Sequence, residues 1–536
     1  MSGHNQVRFN LLDEEWIPVR TLDNERRLVS LKDALVHARE YAGLSEELAP
    51  PNLIGLYRLL LAALHRVLAM RRDAWTSRDL AQWFEEGIPR QWIEDYLDRW
   101  RDRFWLFHPR YPFLQAPVLA GHKSTKNKLK PWTQISLDRA CGDNPTLFDH
   151  SVDDDPEQAS WQQVLWSLIG FLQFVPGGLV RVFKRSDKEG PLANSAAVLP
   201  LGDNLAETLL LALHPGTSAG ADDIPSWERD PPRLEELENG GGFLAMGPND
   251  RYTRLTRAVL LVEEADPGVV RWIRFGAGRA LAEDPHKPDP MVATRMGPSE
   301  AKPIRFEEGR AFWRDLPALV PAPADSKVHP PAVLSWATAL CGAVGQLDRE
   351  LPILVAGVTS RQAKLLRWRT ELVRLPARLL EGQEAARVVR HWVGQCEKVF
   401  EDLRTSLSRV RKQMAKPGAA AAQSREAAGS GRPRGARTGG GKEPSRQTRQ
   451  DAFRTDMVAA IYFHRAERAL PYLLREAVDN PTAAQWRKEL WQAAREAWDA
   501  GIRYLGASPA VWIAEARERP KFFARCRQKL NMNSEE

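Results

Sequence analysis

VRHWVGQCEKVFEDLRTSLSRVRKQM, residues 389–414, places apolar side chains at alternating spacings of four and three. The apolar positions are Val389, Val393, Cys396, Phe400, Leu403, Leu407, Val410 and Met414. This spacing puts all of them on one face of an α-helix. The stretch therefore predicts one long amphipathic helix whose apolar stripe packs against other helices.

Three further helices are predicted after this one. One spans about Ala452–Glu476, and two begin at Asn480-Pro481 and Ser508-Pro509, where a capping residue precedes a proline. Proline is favoured at the first helical position, and Asn or Ser before it caps the free amides. Four such helices favour an antiparallel four-helix bundle over residues 376–536.

The predicted bundle is interrupted at about residues 415–448. The segment Pro417–Gln447 is rich in Ala, Gly, Ser and Arg and lacks apolar anchors, which predicts a disordered basic linker. Two interpretations stay open. The linker contacts nucleic-acid backbone without sequence preference, or it is a tolerated surface insertion.

Residues 1–375 mix helical and strand patterns with Gly/Pro-rich loops. The strongest signals are a strand-like segment at Phe9–Arg20, apolar helices near Leu53–Met70 and Ser160–Phe174, a buried extended connection at Phe104–Pro117, and a β pair of Val259–Glu264 with Val270–Phe275. The chain is therefore predicted to be α+β, with a large mixed N-terminal domain with irregular loops followed by the helical bundle.

The charge is concentrated in one part of the chain. The formal net charge is +7, and residues 411–450 alone carry +8, so the remainder carries −1. A nucleic-acid site on the folded body must therefore be a local basic patch. Four separated cysteines, no apolar leader and no membrane-spanning stretch of about 20 apolar residues predict a reduced, cytoplasmic protein without a membrane partner.

Motifs for catalysis are weak. The chain has neither a GxxxxGK[ST] phosphate loop nor an HExxH zinc motif. The nearest metal-like group is His150 with Asp149 and Asp153–Asp155. A metal nuclease gathers carboxylates around two ions, but adjacent acids on a loop are usually a solvated run. No catalytic residue, metal or cofactor is therefore predicted, and a metal-dependent nuclease remains the alternative.

Two segments have the composition of nucleic-acid contacts. Pro176-Gly177-Gly178 precedes a basic stretch, and Gly357–Lys364 presents Arg361 and Gln362 beside small residues. Glycine lets a backbone approach another backbone, while Arg and Gln hydrogen-bond phosphates and base edges. A helix carrying Arg367, Arg369 and Arg374 is predicted to follow. The alternatives are an ordinary basic loop and a polar helix N-terminus.

The order of these segments resembles one family. FNLLDEEWIPVR at residues 9–20, FWLFHPRYPFLQ at 104–115, Phe148-Asp149-His150, the glycine segment and the Gln362 segment precede a helical bundle. Together they resemble the CasA-type large subunit of the type I-E CRISPR Cascade complex. The alternatives to that resemblance are the nuclease above and a structural helical scaffold.

The resemblance implies a non-enzymatic role with several partners. Such a subunit recognises the short PAM motif in target double-stranded DNA and opens the duplex for guide-RNA pairing. It assembles with guide RNA and the other Cascade subunits, and it helps recruit a helicase–nuclease in antiviral defence.

The implied contacts map onto specific residues of this chain. The PAM and wedge contacts fall on Arg361, Gln362 and Ala363, on Pro176, Gly177 and Gly178, and on Arg274 or Arg279; the guide-RNA loop falls on Phe148, Asp149 and His150. Some members carry Asn where this chain has Arg361, so its PAM preference is expected to differ. The Cys-rich metal knuckle of some members is missing from the sequence, so no zinc is expected.

Overall fold

The computed structural model describes residues 7–72, 75–137, 155–180, 182–215, 222–239, 242–283, 286–297, 300–361, 364–414, 446–479 and 482–532. The chain divides into two compact units, Met1–Glu381 and Gly382–Glu536. The boundary predicted from the sequence, between residues 375 and 376, falls at the end of the last strand of the first unit.

Helices occur in both units. In the first unit they are α1 Leu31–Val36, α2 Pro50–Ala69, α3 Ser77–Glu86, α4 Arg90–Arg99, α5 Trp161–Phe174, α6 Leu205–Ala212, α7 Leu234–Asn239, α8 Pro248–Thr253, α9 Ala332–Ala343 and α10 Ala377–Glu381. In the second unit they are α11 Gln383–Met414, α12 Arg446–Asp479, α13 Ala484–Leu505 and α14 Pro509–Leu530.

The described strands all belong to the first unit and form small sheets of two or three strands. They are β1 Arg8–Asn10, β2 Ile17–Thr21, β3 Arg26–Val29, β4 Tyr41–Leu44, β5 Trp105–Phe107, β6 Lys130–Pro131, β7 Ala159–Ser160, β8 Gly178–Val180, β9 Arg185–Asp187, β10 Ala196–Pro200, β11 Phe243–Leu244, β12 Arg257–Leu261, β13 Val269–Val270, β14 Trp272–Ala277, β15 Leu281–Ala282, β16 Thr294–Met296, β17 Ala301–Pro303, β18 Val328–His329, β19 Glu350–Arg361 and β20 Lys364–Pro376. The α+β class predicted from the sequence is confirmed.

The opening segment is two strands joined by a turn, so its interpretation as one strand is wrong. The side chain of Asn10 accepts a hydrogen bond from the Leu12 amide at 3.0 Å, which turns the chain after β1. Trp16 is fully buried, and its indole donates to the Leu11 carbonyl at 3.0 Å. The motif therefore encodes a capped turn around one buried tryptophan.

The prediction of a buried, extended segment at residues 104–117 holds only in part. Trp105–Phe107 is strand β5, whereas Pro109 and Arg110 are exposed and the chain turns back, so that the Phe113 amide donates to the Trp105 carbonyl at 2.9 Å. Strand β5 pairs with β1, and Gln115 connects it to the next sheet. The Gln115 amide donates to the Leu106 carbonyl at 2.7 Å, and its oxygen accepts from the Leu261 amide of β12 at 2.8 Å. The predicted β pair is confirmed, since β12 and β14 are antiparallel neighbours.

Helix α2 is the central helix of the first unit. By length and composition it is apolar enough to cross a membrane, which the sequence interpretation did not anticipate, yet 83% of its most apolar window is buried within the protein. Its Arg58 is fully buried and donates to both carboxylate oxygens of Asp289, at 2.7 and 2.8 Å. The same guanidinium donates to Gln173 of α5 at 3.0 Å. Such burial is typical of a core helix whose charge is paired.

The second unit is the predicted antiparallel four-helix bundle. Five positions of the α11 stripe are buried, namely Val389, Val393, Cys396, Leu403 and Val410. The hydroxyl of Ser508 accepts from the Val511 amide at 3.4 Å, with Pro509 as the first helical residue, which confirms that cap. The predicted cap at Asn480-Pro481 lies outside the described residues, and the helix begins later than predicted. Helix α13 begins at Ala484, after Ala483 adopts a left-handed backbone with φ of 50°.

A buried histidine gives the first unit a pH-dependent stability. The ring of His65 on α2 is 2% exposed and lies 3.0 Å from the side-chain oxygen of Asn249 and 3.0 Å from the His214 carbonyl. Burial lowers the pKa of His65 to about 4. The unfolded chain therefore takes up this proton near pH 6.5, before the folded chain does.

We predict that the His65 contribution to stability is present above pH 6.5 and is lost as the pH falls towards 4. The loss reaches about 3 kcal/mol at most, because one pKa unit corresponds to roughly 1.4 kcal/mol. Thermal unfolding of wild type and His65→Gln across this range measures it, and the variant should show the flatter curve. His391→Gln, at an exposed histidine of α11, is the matched control. Parallel curves for wild type and His65→Gln would contradict the assignment.

Candidate nucleic-acid interface

The longest strand pair of the first unit is a hairpin made by β19 and β20. The strands pair from Glu350 with Pro376 to Arg361 with Lys364, with a register shift between Thr359 and Ser360. We call this pair the long hairpin. Most residues of β19 from Leu351 to Val358 are buried, and β10 pairs with β19 only between Ile353 and Gly357. Strand β19 therefore continues past β10, and within the described part of the chain its residues 358–361 pair with β20 alone.

Gly357 marks the point where the long hairpin leaves the sheet. A Cβ atom there would lie 2.7 Å from the Ser195 carbonyl oxygen and 3.0 Å from the Phe306 ring. Any side chain would therefore push β19 off its neighbours. Glycine at this position therefore lets β19 pack closely against Ser195 and Phe306 at the base of the long hairpin.

The prediction of a helix after Lys364 is wrong, because this segment forms strand β20. Buried Val373 and Leu375 alternate with exposed Leu372 and Arg374, which is the two-residue period of a strand. The charged residues conceal this period, because Arg369 and Glu371 lie on the same face as Val373 and Leu375, while apolar Leu372 is exposed. Arg374 is accordingly exposed at the base of the long hairpin.

Arg369 supports the long hairpin from within the first unit. Its guanidinium donates to the Arg310 carbonyl at 2.8 Å and to the carboxylate of Glu371, and it lies 5.1 Å from the centre of the Phe306 ring. Glu371 in turn accepts from the Phe312 amide at 2.8 Å. This arginine therefore contributes to packing, although its sequence context suggested a ligand contact.

The predicted wedge residues lie at the end of the long hairpin. Arg361 and Lys364 are the last paired positions, so Gln362 and Ala363 connect the two strands. Gln362 and Ala363 themselves lie outside the described residues.

The glycine segment begins a second hairpin, formed by β8 and β9. Gly178 pairs with Asp187, and a Cβ atom on Gly178 would meet no atom within 4 Å. Pro176 and Gly177 lead into it from α5 and are half-buried. We call residues 176–188 the glycine hairpin.

A buried arginine closes the base of the glycine hairpin. Arg257, the first residue of β12, is 2% exposed. Its guanidinium donates to the carbonyls of Pro176 and Lys188, both at 2.9 Å, and to that of Thr256 at 2.8 Å. One side chain thus joins the two ends of the hairpin to the neighbouring sheet.

Arg274 lies on the strand face that the glycine hairpin covers. A Cβ atom on Gly276 of β14 would lie 3.0 Å from the Phe183 ring, so the hairpin packs on this face. Arg274 shares the face because alternate strand residues point the same way. Its Nε is buried without a hydrogen-bond partner among the described residues, and burial lowers the pKa of Arg274.

Arg279 has a different environment. Its Nε lies 3.5 Å from Glu236, and its guanidinium lies 4.9 Å from the centre of the Phe243 ring. It lines a small cleft together with Arg254 and Trp227. Arg274 and Arg279 were the two candidates for one basic PAM contact, and only Arg274 lies on the face that the glycine hairpin covers.

The remaining predicted positions are only partly described. Phe148, Asp149 and His150 lie outside the described residues, as do Asp153 and Asp154 of the acidic run. Asp155 accepts a hydrogen bond from Arg271 at 2.7 Å. Across the described ranges, no group of three or more His, Cys, Asp or Glu side chains could hold a metal ion.

Residues 216–220 read GTSAG, so the expectation from the sequence that no GxSxG spacing is present is wrong. A nucleophile elbow of this kind follows a strand and precedes a helix. Here the preceding element is helix α6, and residues 216–220 lie outside the described residues. The spacing alone supports no catalytic assignment.

Comparison with known proteins identifies the family. A family model described as CRISPR-associated protein Cse1 matches residues 10–497. The chain belongs to the Cse1 family. The CasA/Cse1 protein of Thermus thermophilus is 35% identical over 522 residues, which is 96% of this chain and 96% of that relative.

Solved Cse1 structures share this fold. The crystal structure of Thermus thermophilus CasA matches with a TM-score of 0.79 and 31% identity, covering 97% of this chain and 99% of that one. A structure described as a CRISPR RNA-guided surveillance complex matches with a TM-score of 0.74, covering 97% of this chain and 100% of that one. Its identity is 21%, so this second likeness shows the fold alone.

The contacts that Arg257 and Arg369 make in this Cse1 chain were not predicted from the sequence. Arg257 was not singled out, and Arg369 was assigned to a basic helix, because neither has a local signal that separates it from exposed arginines. Their partners lie far away in sequence, since Arg257 bonds to Pro176 and Arg369 to Arg310. Only the folded chain reveals these contacts.

We predict that Arg257→Met loosens the glycine hairpin selectively. The change removes three hydrogen bonds to carbonyls and should lower the free energy of unfolding by roughly 2–3 kcal/mol. Hydrogen–deuterium exchange should quicken most across residues 176–190, while Arg374→Met, at an exposed arginine, leaves exchange unchanged. A uniform increase over the whole first unit would argue against a local clamp.

Proposed function

We propose that this Cse1 chain is the large subunit of a type I-E Cascade complex. In that role it recognises the PAM in target double-stranded DNA, opens the duplex for pairing with guide RNA, and helps recruit the helicase–nuclease. The observation that carries the proposal is membership of the Cse1 family over residues 10–497. A likeness in fold to a chain from a CRISPR RNA-guided surveillance complex supports it.

The long hairpin supports a role in opening DNA. Separating a base pair requires breaking stacking of about 1.4 kcal/mol per step, and the gap must be filled as it forms. A protein element that fills this gap must be held rigidly at its base and must be narrow enough at its end to enter between base pairs. The close packing at Gly357 and the contacts of Arg369 supply the base, and the two strands stay paired as far as Arg361 and Lys364.

Gln362 is the residue best suited to fill the gap. Its planar amide can stack on a base and hydrogen-bond at the same time, and Ala363 is small enough for the backbone to lie in the minor groove. Arg361 and Lys364 flank this pair, and their positive charges suit phosphates or base edges. Arg361 in place of the Asn of some members is then expected to alter PAM preference.

The glycine hairpin and Arg274 supply a second proposed DNA contact. Gly178 is exposed and free of close neighbours, so a sugar–phosphate backbone can approach it closely. The partly buried Arg274 guanidinium lies on the neighbouring strand face. Pro176 and Gly177 determine the direction from which the DNA backbone can approach. Their position is set by Arg257 of β12, which donates a hydrogen bond to the Pro176 carbonyl.

The segment Phe148-Asp149-His150 is proposed to contact guide RNA during assembly. Its order in the chain, before the glycine hairpin, is the support for this assignment. An aromatic side chain in a polar stretch is suited to stacking on an unpaired base.

The proposed subunit is not an enzyme. The rival function, a metal-dependent nuclease, depends on the run from His150 to Asp155, and Asp155 already forms an ion pair with Arg271. Incubating the purified chain with linear DNA and Mg²⁺ separates the two functions. Cleavage that disappears when Asp153–Asp155 are changed to Ala would favour the nuclease.

We predict that Gln362→Ala in the assembled complex slows strand opening on linear duplex and spares binding to a target already unpaired beside the PAM. The reason is that the unpaired target needs no wedge. Opening can be followed by fluorescence of a base analogue placed next to the PAM. Gln91→Ala, at an exposed glutamine of α4, is the control. Equal losses on both substrates, or none on either, would show that the wedge lies elsewhere.

We predict that Phe148→Ala weakens incorporation into the guide-RNA complex, while the free chain melts at the wild-type temperature. Loss of one stacking contact corresponds to roughly 1–3 kcal/mol of binding free energy. Titration of the chain into complex lacking this subunit measures incorporation. A lower melting temperature of the free chain would instead indicate that Phe148 anchors its segment to the core.

A further inference from the structure

A cleft in the first unit gathers four arginines around a small cavity. We call it the arginine cleft and define it by Arg103, Arg229, Arg254 and Arg279, with Trp227 at its wall. The cavity measures about 40 Å³. A water molecule needs on the order of 10–15 Å³ by this measure, so the space suits about three waters or one small tetrahedral ion.

The negative charges of the cleft do not balance its arginines. Asp230 and Asp250 also line it, and Glu236 forms an ion pair with Arg279, which leaves one more arginine than acids. Asp250 is committed to Arg254, at 3.1 Å from its Nε, and Asp230 lies 3.4 Å from Arg103. The nearest acid to Arg279 is Glu236, at 3.5 Å.

Two of the arginines keep hydrogen-bond donors for a ligand. Among the described residues, the Arg279 guanidinium makes no hydrogen bond, and its Nε is buried. Arg229 donates through Nε to the Ile224 carbonyl at 3.3 Å and through one terminal nitrogen to the Asp222 carbonyl at 2.9 Å. Within the described part of the chain, its other terminal nitrogen has no such bond.

The other two arginines are fixed in place and act as walls. Arg254 donates to the Leu244 carbonyl at 2.9 Å and is 5% exposed. Arg103 lies 3.6 Å from the centre of the Tyr111 ring and donates to the Arg229 carbonyl at 3.1 Å. The cleft is therefore built before any ligand arrives, which lowers the entropy cost of binding.

The positive charges of Arg254 and Arg229 act on Arg279. Burial lowers the pKa of Arg279, and the charges of Arg254 and Arg229 lower it further, while Glu236 opposes them. An anion in the cleft would relieve this repulsion and satisfy the donors.

We propose that the arginine cleft binds one phosphate group, held by Arg279 and Arg229. The group can belong to a nucleic-acid strand or to free phosphate, since both present the same tetrahedral oxyanion to the guanidinium donors. This site does not depend on the proposed role in PAM recognition, because its lining excludes the long hairpin and the glycine hairpin.

The test uses the full chain and inorganic phosphate. Phosphate at about 20 mM should raise the melting temperature of wild type by about 2 °C relative to chloride at equal ionic strength, as expected for a Kd of about 1 mM. Arg279→Met and Arg229→Met should each abolish most of this rise. Arg374→Met, at an exposed arginine of the long hairpin, should keep it. No rise in wild type, or equal rises in the cleft variants, would overturn the proposal.

A second measurement keeps the proposal testable if the methionine variants fail to fold. Crystals of wild type soaked in tungstate, a tetrahedral oxyanion, should show anomalous density between Arg279 and Arg229. Density elsewhere only would overturn the site. A short single-stranded oligonucleotide that displaces the tungstate identifies a nucleic-acid phosphate as the ligand, and one that leaves it bound identifies free phosphate. Both outcomes support the cleft, and neither depends on strand opening.

Discussion

A positive charge at the centre of the first unit constrains how its core can assemble. Arg58 is fully buried on α2 and is held by both oxygens of Asp289, by Gln173 and by the face of the Tyr252 ring at 4.6 Å. An unpaired charge in such a core would cost several kcal/mol, and loss of one partner of a buried pair costs roughly 3–5 kcal/mol. Helices α2, α5 and α8 and the segment before β16 must therefore reach their places together.

The same contacts determine where the glycine hairpin can leave the core. Gln173 donates to the Tyr252 carbonyl at 2.9 Å, and its own carbonyl accepts from the Leu192 amide at 2.9 Å. Gly190 allows this return, because a Cβ atom there would lie 2.7 Å from the Gln173 carbonyl oxygen. The core network thus fixes both ends of the hairpin, and Arg257 joins them.

Much of the fold follows from local sequence periods, and the exceptions have physical causes. Helices α2, α5, α11 and α14 were predictable because their apolar period or cap is complete within one segment. Strand β20 was not, because charged Arg369 and Glu371 share the face of buried Val373 and Leu375 and hide the two-residue period. The start of α13 was missed because Asn480-Pro481 is a favourable local cap, whereas the helix begins beyond it at Ala484. The order of the segments along the chain was enough to select the two hairpins as candidate nucleic-acid contacts. Their anchors depend on contacts between residues many positions apart, which no local pattern contains.

The two hairpins are anchored in the same way. Each has a glycine at a close backbone approach, Gly357 in the long hairpin or Gly190 two residues past the glycine hairpin, and an arginine that donates to backbone carbonyls near its base, Arg369 or Arg257. Substitutions at these positions disturb the fold, because backbone atoms cannot move away and carbonyls would lose their donors. The long hairpin ends beyond β10, where Arg361 has Lys364 as its paired residue. If that end contacts DNA, as proposed, a change of side chain there alters the contact and leaves Gly357 and Arg369, the residues that anchor the base, as they are.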